Sequence, residues 1–154
     1  MDKETFTKAY AAQLRFVWNV CLTLLRNPAD TEDAVQETFL RLLHQEEPEN
    51  IRAWLLVTAR NVCRDELRRF RRQELPLEDA GEAAAVMPEI DETLVAVRSL
   101  QEKYRLPIYL FYYEELSTAQ IADLLHRRES TVRSDLRRGR ERLRTLLGGK
   151  QDEA

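Results

Sequence analysis

Apolar residues recur every three or four positions through most of this chain, and that spacing restricts it to helices. Phe6, Tyr10, Leu14, Val17, Cys21 and Leu24 or Leu25 form the first such series, the period of one helical face. No stretch alternates apolar and polar residues and closes in a hairpin turn, and only four of the 154 residues are Gly. The expected fold class is all-α. With 44% hydrophobic residues the chain can bury a core, and its length suits one ordinary domain or two small ones.

Punctuation along the chain divides the helices. The first is expected to end near Asn27-Pro28, because Pro disfavours helical backbone in the residue before it. Asp30 reads as the N-cap of a second helix, which runs to about His44 and buries Val35, Phe39, Leu42 and Leu43. A third starts after Pro48 and continues to about Gln73, with Ile51, Trp54, Leu55, Thr58, Val62, Leu67 and Phe70 packed. Residues 74–89 lose the amphipathic period and gather Pro, Gly, small and acidic residues, so they read as a flexible acidic linker between two domains, 1–73 and 90–150. Beyond it Ile90, Leu94, Val97 and Leu100 mark a fourth helix. Tyr104 to Tyr113 form a fifth, in which Pro107 must lie in the first turn or kink the helix. Ser117 with Gln120 is a capping box opening a short sixth helix to about Leu125. After a tight turn at His126 to Glu129, a last helix runs from about Ser130 to Leu147. No internal repeat is present.

The formal net charge of -3 would suit few nucleic-acid binders, but its distribution does. Between Arg60 and Arg72 six arginines face two acids; from His126 to Lys150 nine cations face three. Gln73 to Glu92 carries seven acids and no cation.

The last two helices have the layout of a helix-turn-helix, whose second helix enters the DNA major groove. Arg133, Ser134, Arg137 and Arg138 fall where base edges would be reached, while Arg140, Arg142 and Arg144 suit phosphates. Arg60, Arg64 and Arg68, four apart beside Trp54, form a cationic and partly aromatic stripe that suits single-stranded nucleic acid, or equally a solvated face. Asp33, Gln36 and Glu37 are i, i+3 and i+4 neighbours and make one polar patch, either a docking surface or an acidic helix start. Tyr109, Phe111, Tyr112 and Tyr113 read as core. Enzyme readings find no support: no Gly-rich phosphate loop exists, and no Ser or Thr has a His in a local constellation. Cys21 and Cys63 are isolated, with only His44 and His126 as other soft ligands, so neither a disulfide nor a metal site is expected. No cofactor, small-molecule substrate or membrane insertion is expected, and the composition and N-terminus point to the cytoplasm.

The stretches NPADTEDAVQETFLRLL and IRAWLLVTARNVCRDELRR, and later EKYRLPIYLFYYEELSTAQIADLL with STVRSDLRRGRERLRTLL, resemble a bacterial RNA polymerase sigma factor of the extracytoplasmic-function (ECF) class of the sigma-70 family. The resemblance covers nearly the whole chain outside the linker and the last residues. It implies a region 2-like domain that binds core polymerase and opens the minus-10 promoter element, and a region 4-like helix-turn-helix that reads the minus-35 element. It implies that Asp33, Gln36 and Glu37 dock on the polymerase beta-prime clamp. The turn from His44 to Asn50 would capture a flipped minus-10 base, and Trp54, Arg60, Asn61, Arg64 and Arg68 would line the melted strand. The partners implied are core RNA polymerase, through its beta-prime clamp and beta flap, promoter DNA and an anti-sigma factor, with catalysis left to the polymerase.

The chain departs from that family at particular residues. His126 and Arg127 stand where the turn usually has Gly followed by an apolar residue, which puts His126 in a left-handed conformation if the turn is kept. Asp135 stands in the recognition helix in place of a basic or neutral residue, to accept from a cytosine amino group, to pair with a neighbouring Arg, or to weaken DNA binding. Gln101 and Glu115 replace a common Pro and Gly. His126, Arg127 and Asp135 motivate an alternative, a sigma-like adaptor or decoy that binds an anti-sigma factor without supporting transcription. A dimeric helix-turn-helix repressor leaves the N-terminal half unexplained.

Overall fold

The computed structural model describes residues 1–25, 27–73 and 92–148. Seven helices and no strand occur among these residues: α1 (Lys3–Leu25), α2 (Pro28–Leu43), α3 (Ile51–Gln73), α4 (Glu92–Arg98), α5 (Glu102–Tyr112), α6 (Thr118–Leu125) and α7 (Glu129–Gly148). They fall into two units, Met1–Pro88 and Glu89–Ala154. The expected linker at residues 74–89 lies outside the described residues, as do Ile90 and the side chains of Phe70 and Leu94.

In the first unit α1, α2 and α3 pack against one another pairwise. The apolar series of α1 suggested one buried face, yet its second half is buried almost all round, through Phe16, Val17, Trp18, Val20, Cys21, Leu22, Leu24 and Leu25. Two neighbouring helices cover it, so period alone understates its burial. Tyr10, at the exposed end of that series, stacks edge-on against Phe39 of α2 with ring centroids 4.8 Å apart. Buried Thr31 and Thr38 satisfy their hydroxyls within their own helix, on Asn27 O at 2.8 Å and Ala34 O at 2.7 Å. Cys21 and Cys63 are both buried and free.

The N-cap of α2 corrects the sequence expectation. Asn27, not Asp30, holds that position: its Oδ1 accepts from Ala29 N at 2.9 Å and Asp30 N at 3.2 Å. Pro28 occupies the first helical position, where its missing N–H costs nothing and its fixed φ suits the helix. Leu43, expected inside, is 37% exposed, because α2 ends there and His44 already turns away. In α3 the packed set also includes Leu56, Ala59 and Cys63, while Ile51, Trp54, Thr58 and Leu67 are only half-buried.

In the second unit α7 packs against α4, α5 and α6. Its core gathers Val97, Leu100, Tyr104, Ile108, Tyr109, Leu110, Ile121, Val132 and Leu136. Tyr109 is fully buried as expected, but Tyr112 is 47% exposed, so the tyrosine run is split between core and surface. Pro107 lies past the first turn of α5, inside the helix.

Candidate nucleic-acid interface

The helix-turn-helix rests on local hydrogen bonds. Ser117 Oγ accepts from Gln120 N at 3.1 Å and Gln120 Oε1 accepts from Ser117 N at 2.8 Å, closing the capping box of α6. At the other end His126 is left-handed, with φ 54° and ψ 45°. Arg127 N donates to Ala122 O at 3.0 Å and His126 N to Asp123 O at 3.4 Å, the paired bonds of a Schellman turn. Glu115, the other non-Gly residue at positive φ among the described residues, has φ 55°, and Gln101 has φ -59°, within the range Pro would fix. The positions where Gly and Pro are common have therefore kept their backbone geometry while changing residue.

After this turn α7 leaves most of its arginines exposed. Arg133, Arg137 and Arg140, four and three apart, share one exposed stripe; Ser134, Arg138 and Arg142, each four apart, form the next one, with Ser134 half-buried and both arginines exposed. Arg133 is held by Glu129 at 3.1 Å, and the same Glu129 oxygen accepts from Thr118 Oγ1 at 2.8 Å, so the first turn of α7 is tied to α6. Arg140 Nη1 donates to the Tyr112 hydroxyl at 3.4 Å. Asp135 does not share this surface. It is buried and pairs with Arg127 at 3.3 Å, the intramolecular pair among its three open readings.

On α3, Trp54, Asn61, Arg64 and Arg68 recur at helical spacing on one face, with Arg60 at its edge. Asn61, Arg64 and Arg68 are exposed, Trp54 and Arg60 half-buried, and Arg68 meets Asp65 at 3.6 Å. The turn before it is exposed apart from half-buried Pro48. Asn50 ends this turn by accepting from Ala53 N at 3.0 Å, which starts α3.

A patch of opposite character lies on α2. Asp33, Gln36 and Glu37 are all exposed, with Glu37 3.5 Å from Arg41. Leu40, 52% exposed, continues the same line by one turn, so the patch passes from acidic to apolar. Asp30 and Glu66 extend it, and sequence reasoning had used both elsewhere, Asp30 as a cap and Glu66 as a counter-charge in the basic block. Partial burial pushes both carboxyls above their ordinary range; Asp33 adds repulsion at Asp30, and Asp30 and Asp33 add it at Glu66, while Arg69 opposes at both. The spacing of Asp30 to Asp33 was visible in the sequence, but the approach of Glu66 from α3 was not. Among the described residues no cluster of His, Cys, Asp or Glu could hold a metal ion, and no helix is long and apolar enough to cross a membrane.

Residues 9–73 match Sigma-70 region 2 and residues 90–143 match Sigma-70 region 4. The ECF RNA polymerase sigma factor SigL of Mycobacterium tuberculosis is 35% identical, over 90% of this chain and 86% of that protein. The chain belongs to the ECF class of the sigma-70 family. As an ECF sigma factor it is a transcription initiation factor. The ECF sigma factor SigM of Bacillus subtilis is 28% identical over 97% of this chain and 99% of that protein. The fold is shared with the sigma factor RpoE of Bartonella quintana, solved in complex with the anti-sigma factor NepR, at a TM-score of 0.75 and 22% identity over 94% of this ECF chain and 98% of that one.

Proposed function

We propose that this sigma factor joins core RNA polymerase through α2 and reads promoters with α3 and α7. Asp33, Gln36, Glu37 and Leu40 dock on the beta-prime clamp, with the acids meeting a basic partner surface and Leu40 supplying an apolar contact. Trp54, Arg60, Asn61, Arg64 and Arg68 line the melted minus-10 strand, beside the turn from His44 to Asn50. Arg133, Ser134, Arg137 and Arg138 reach minus-35 base edges, and Arg140 and Arg142 hold phosphates. Residues 1–73, 74–89 and 90–150 act as the polymerase and minus-10 domain, a tether and the minus-35 domain. The chain holds no chemistry of its own, and an anti-sigma factor controls its access to the polymerase.

The observation that supports this most is the paired arginine stripes on the exposed side of α7, behind a capped α6 and a Schellman turn. A solvated surface helix needs no such support. Two sets of substitutions test the reading. Asp33→Arg with Glu37→Arg, and separately Leu40→Ala, are expected to reduce copurification with core polymerase while the far-ultraviolet helical signal is kept, since all three side chains are exposed. Arg133→Ala and Arg138→Ala are expected to weaken minus-35 binding by about 1–3 kcal/mol with altered base preference, and Arg142→Ala to weaken it evenly across sequences. Unchanged copurification would remove the clamp assignment, and unchanged DNA binding in all three would remove the assignment of α7.

A further inference from the structure

Pro107 has no N–H, so the carbonyl four residues earlier in α5, that of Lys103, lacks its helical donor. Arg127 supplies one from outside the helix. Its Nη1 donates to Lys103 O at 3.1 Å and to Asp135 Oδ2 at 3.3 Å. One nitrogen with two hydrogens thus joins α5, the turn after α6, and α7. Arg127 occupies the position of the Schellman turn from which an apolar side chain ordinarily packs back on the preceding helix. Here the charged side chain reaches across to α7 instead, and Asp135, 7% exposed, meets it.

One turn further along the same face of α7 is Gly139. A Cβ there would stand 2.8 Å from Ile108 Cγ1 and 3.4 Å from Tyr104 Cβ, so the two helices touch backbone to side chain at that point. Close approach at Gly139 sets how near α7 lies to α5. It leaves sliding and rotation of α7 along α5 to be fixed by directional contacts, and the Arg127 bonds are directional.

We propose that Asp135 is a positioning residue of the recognition helix: through Arg127 it locks the register of α7 on α5, and it makes no contact with DNA. Its functional consequence rests on the reading of α7 as the DNA-reading helix. Arg127 and Asp135 then constitute one compensated change, each explaining why the other departs from the family. Asp135 is buried and one of its oxygens is occupied by Arg127, so it is not placed to reach a base edge. A shift of the whole helix weakens every contact together, whereas loss of a base contact shows at one base pair.

The test uses the full chain with Asp135→Asn, Arg127→Met, and the double variant Arg127→Met with Asp135→Leu. Two quantities are read: the thermal unfolding midpoint, and binding to the consensus duplex that the unsubstituted protein selects from a randomised library, together with all its single-base variants. Each single substitution is expected to lower the midpoint by about 5 °C or more, because it strands a partly buried charge or leaves its partner unpaired. Duplex binding falls about tenfold or more, evenly across the base variants. The double variant is expected to recover most of both losses, since an apolar pair strands no charge and Lys103 O is close enough to solvent to take water. Additive losses in the double variant, unaffected single variants, or a change of preference at one base pair in Asp135→Asn would each overturn the proposal. If the library yields no consensus, the DNA-reading role of α7 falls, and the midpoints alone still decide whether Asp135 and Arg127 act as a pair.

Discussion

His126 shows how a single residue can depart from its family without altering the backbone it serves. Its left-handed φ costs an L-residue energy that Gly would not spend, though His tolerates the region better than branched residues do. His126→Gly is therefore expected to stabilise the second unit by about 0.5 kcal/mol, after the greater chain entropy of Gly is subtracted, read as a rise in thermal midpoint. Asp30 and Glu66 make a second case, in which electrostatics set the direction. Their folded-state pKa values lie above the ordinary 3.8 and 4.5, first because burial penalises the charge. The folded state thus binds protons more readily than the unfolded one, and the contribution of these groups is fully present below those ordinary values and lost as pH rises through the folded ones. Glu66→Gln is expected to raise the urea midpoint at pH 7 and to change it less at pH 4. The raised carboxyls were not legible in the sequence, because the burial and repulsion that cause them come partly from a second helix. The left-handed turn was legible only through the resemblance, whose turn usually has Gly where this chain has His126.

Among the elements, helix positions were legible wherever period and capping agreed. The Ser117 and Gln120 box fixed the start of α6, and the observed helix begins at Thr118. Asn27 was overlooked as a cap because Pro28 was read only as the end of one helix and not as the first residue of the next. Burial was harder. Leu56 is buried because three helices, each touching the other two, cover more than one face, and a single periodic stripe records only one; Leu43 is exposed because α2 ends there. Gly139 was silent in the sequence, one Gly in an arginine-rich helix. The structure gives it a role in the contact between α7 and α5, and Gly139→Ala tests this. The gain in helix propensity, about 1 kcal/mol, is opposed by an overpacking cost of about 1–3 kcal/mol at Ile108 and Tyr104. A net loss of about 1 kcal/mol is expected in denaturant unfolding, and an increase in stability would show that Ile108 yields freely.

For the whole molecule, a slightly acidic chain separates its charges by element: acids on α2, arginines on α3 and α7. The all-α class was legible from the helical period and the scarcity of Gly, and family membership from two separate stretches that carry matching motifs in order. The contents of the recognition helix were less so. His126, Arg127 and Asp135 had suggested a sigma-like adaptor or decoy that binds an anti-sigma factor without supporting transcription. In the fold His126 is left-handed at the turn, and Arg127 and Asp135 bond to each other while Arg133, Arg137, Arg138, Arg140 and Arg142 are exposed. In vitro transcription with reconstituted core RNA polymerase, on promoters selected by that holoenzyme, tests the account most directly. The predicted result is specific transcript initiation that depends on this chain and is lost with Asp33→Arg and Glu37→Arg. A chain that binds core polymerase or an anti-sigma factor yet yields no specific transcript would contradict it.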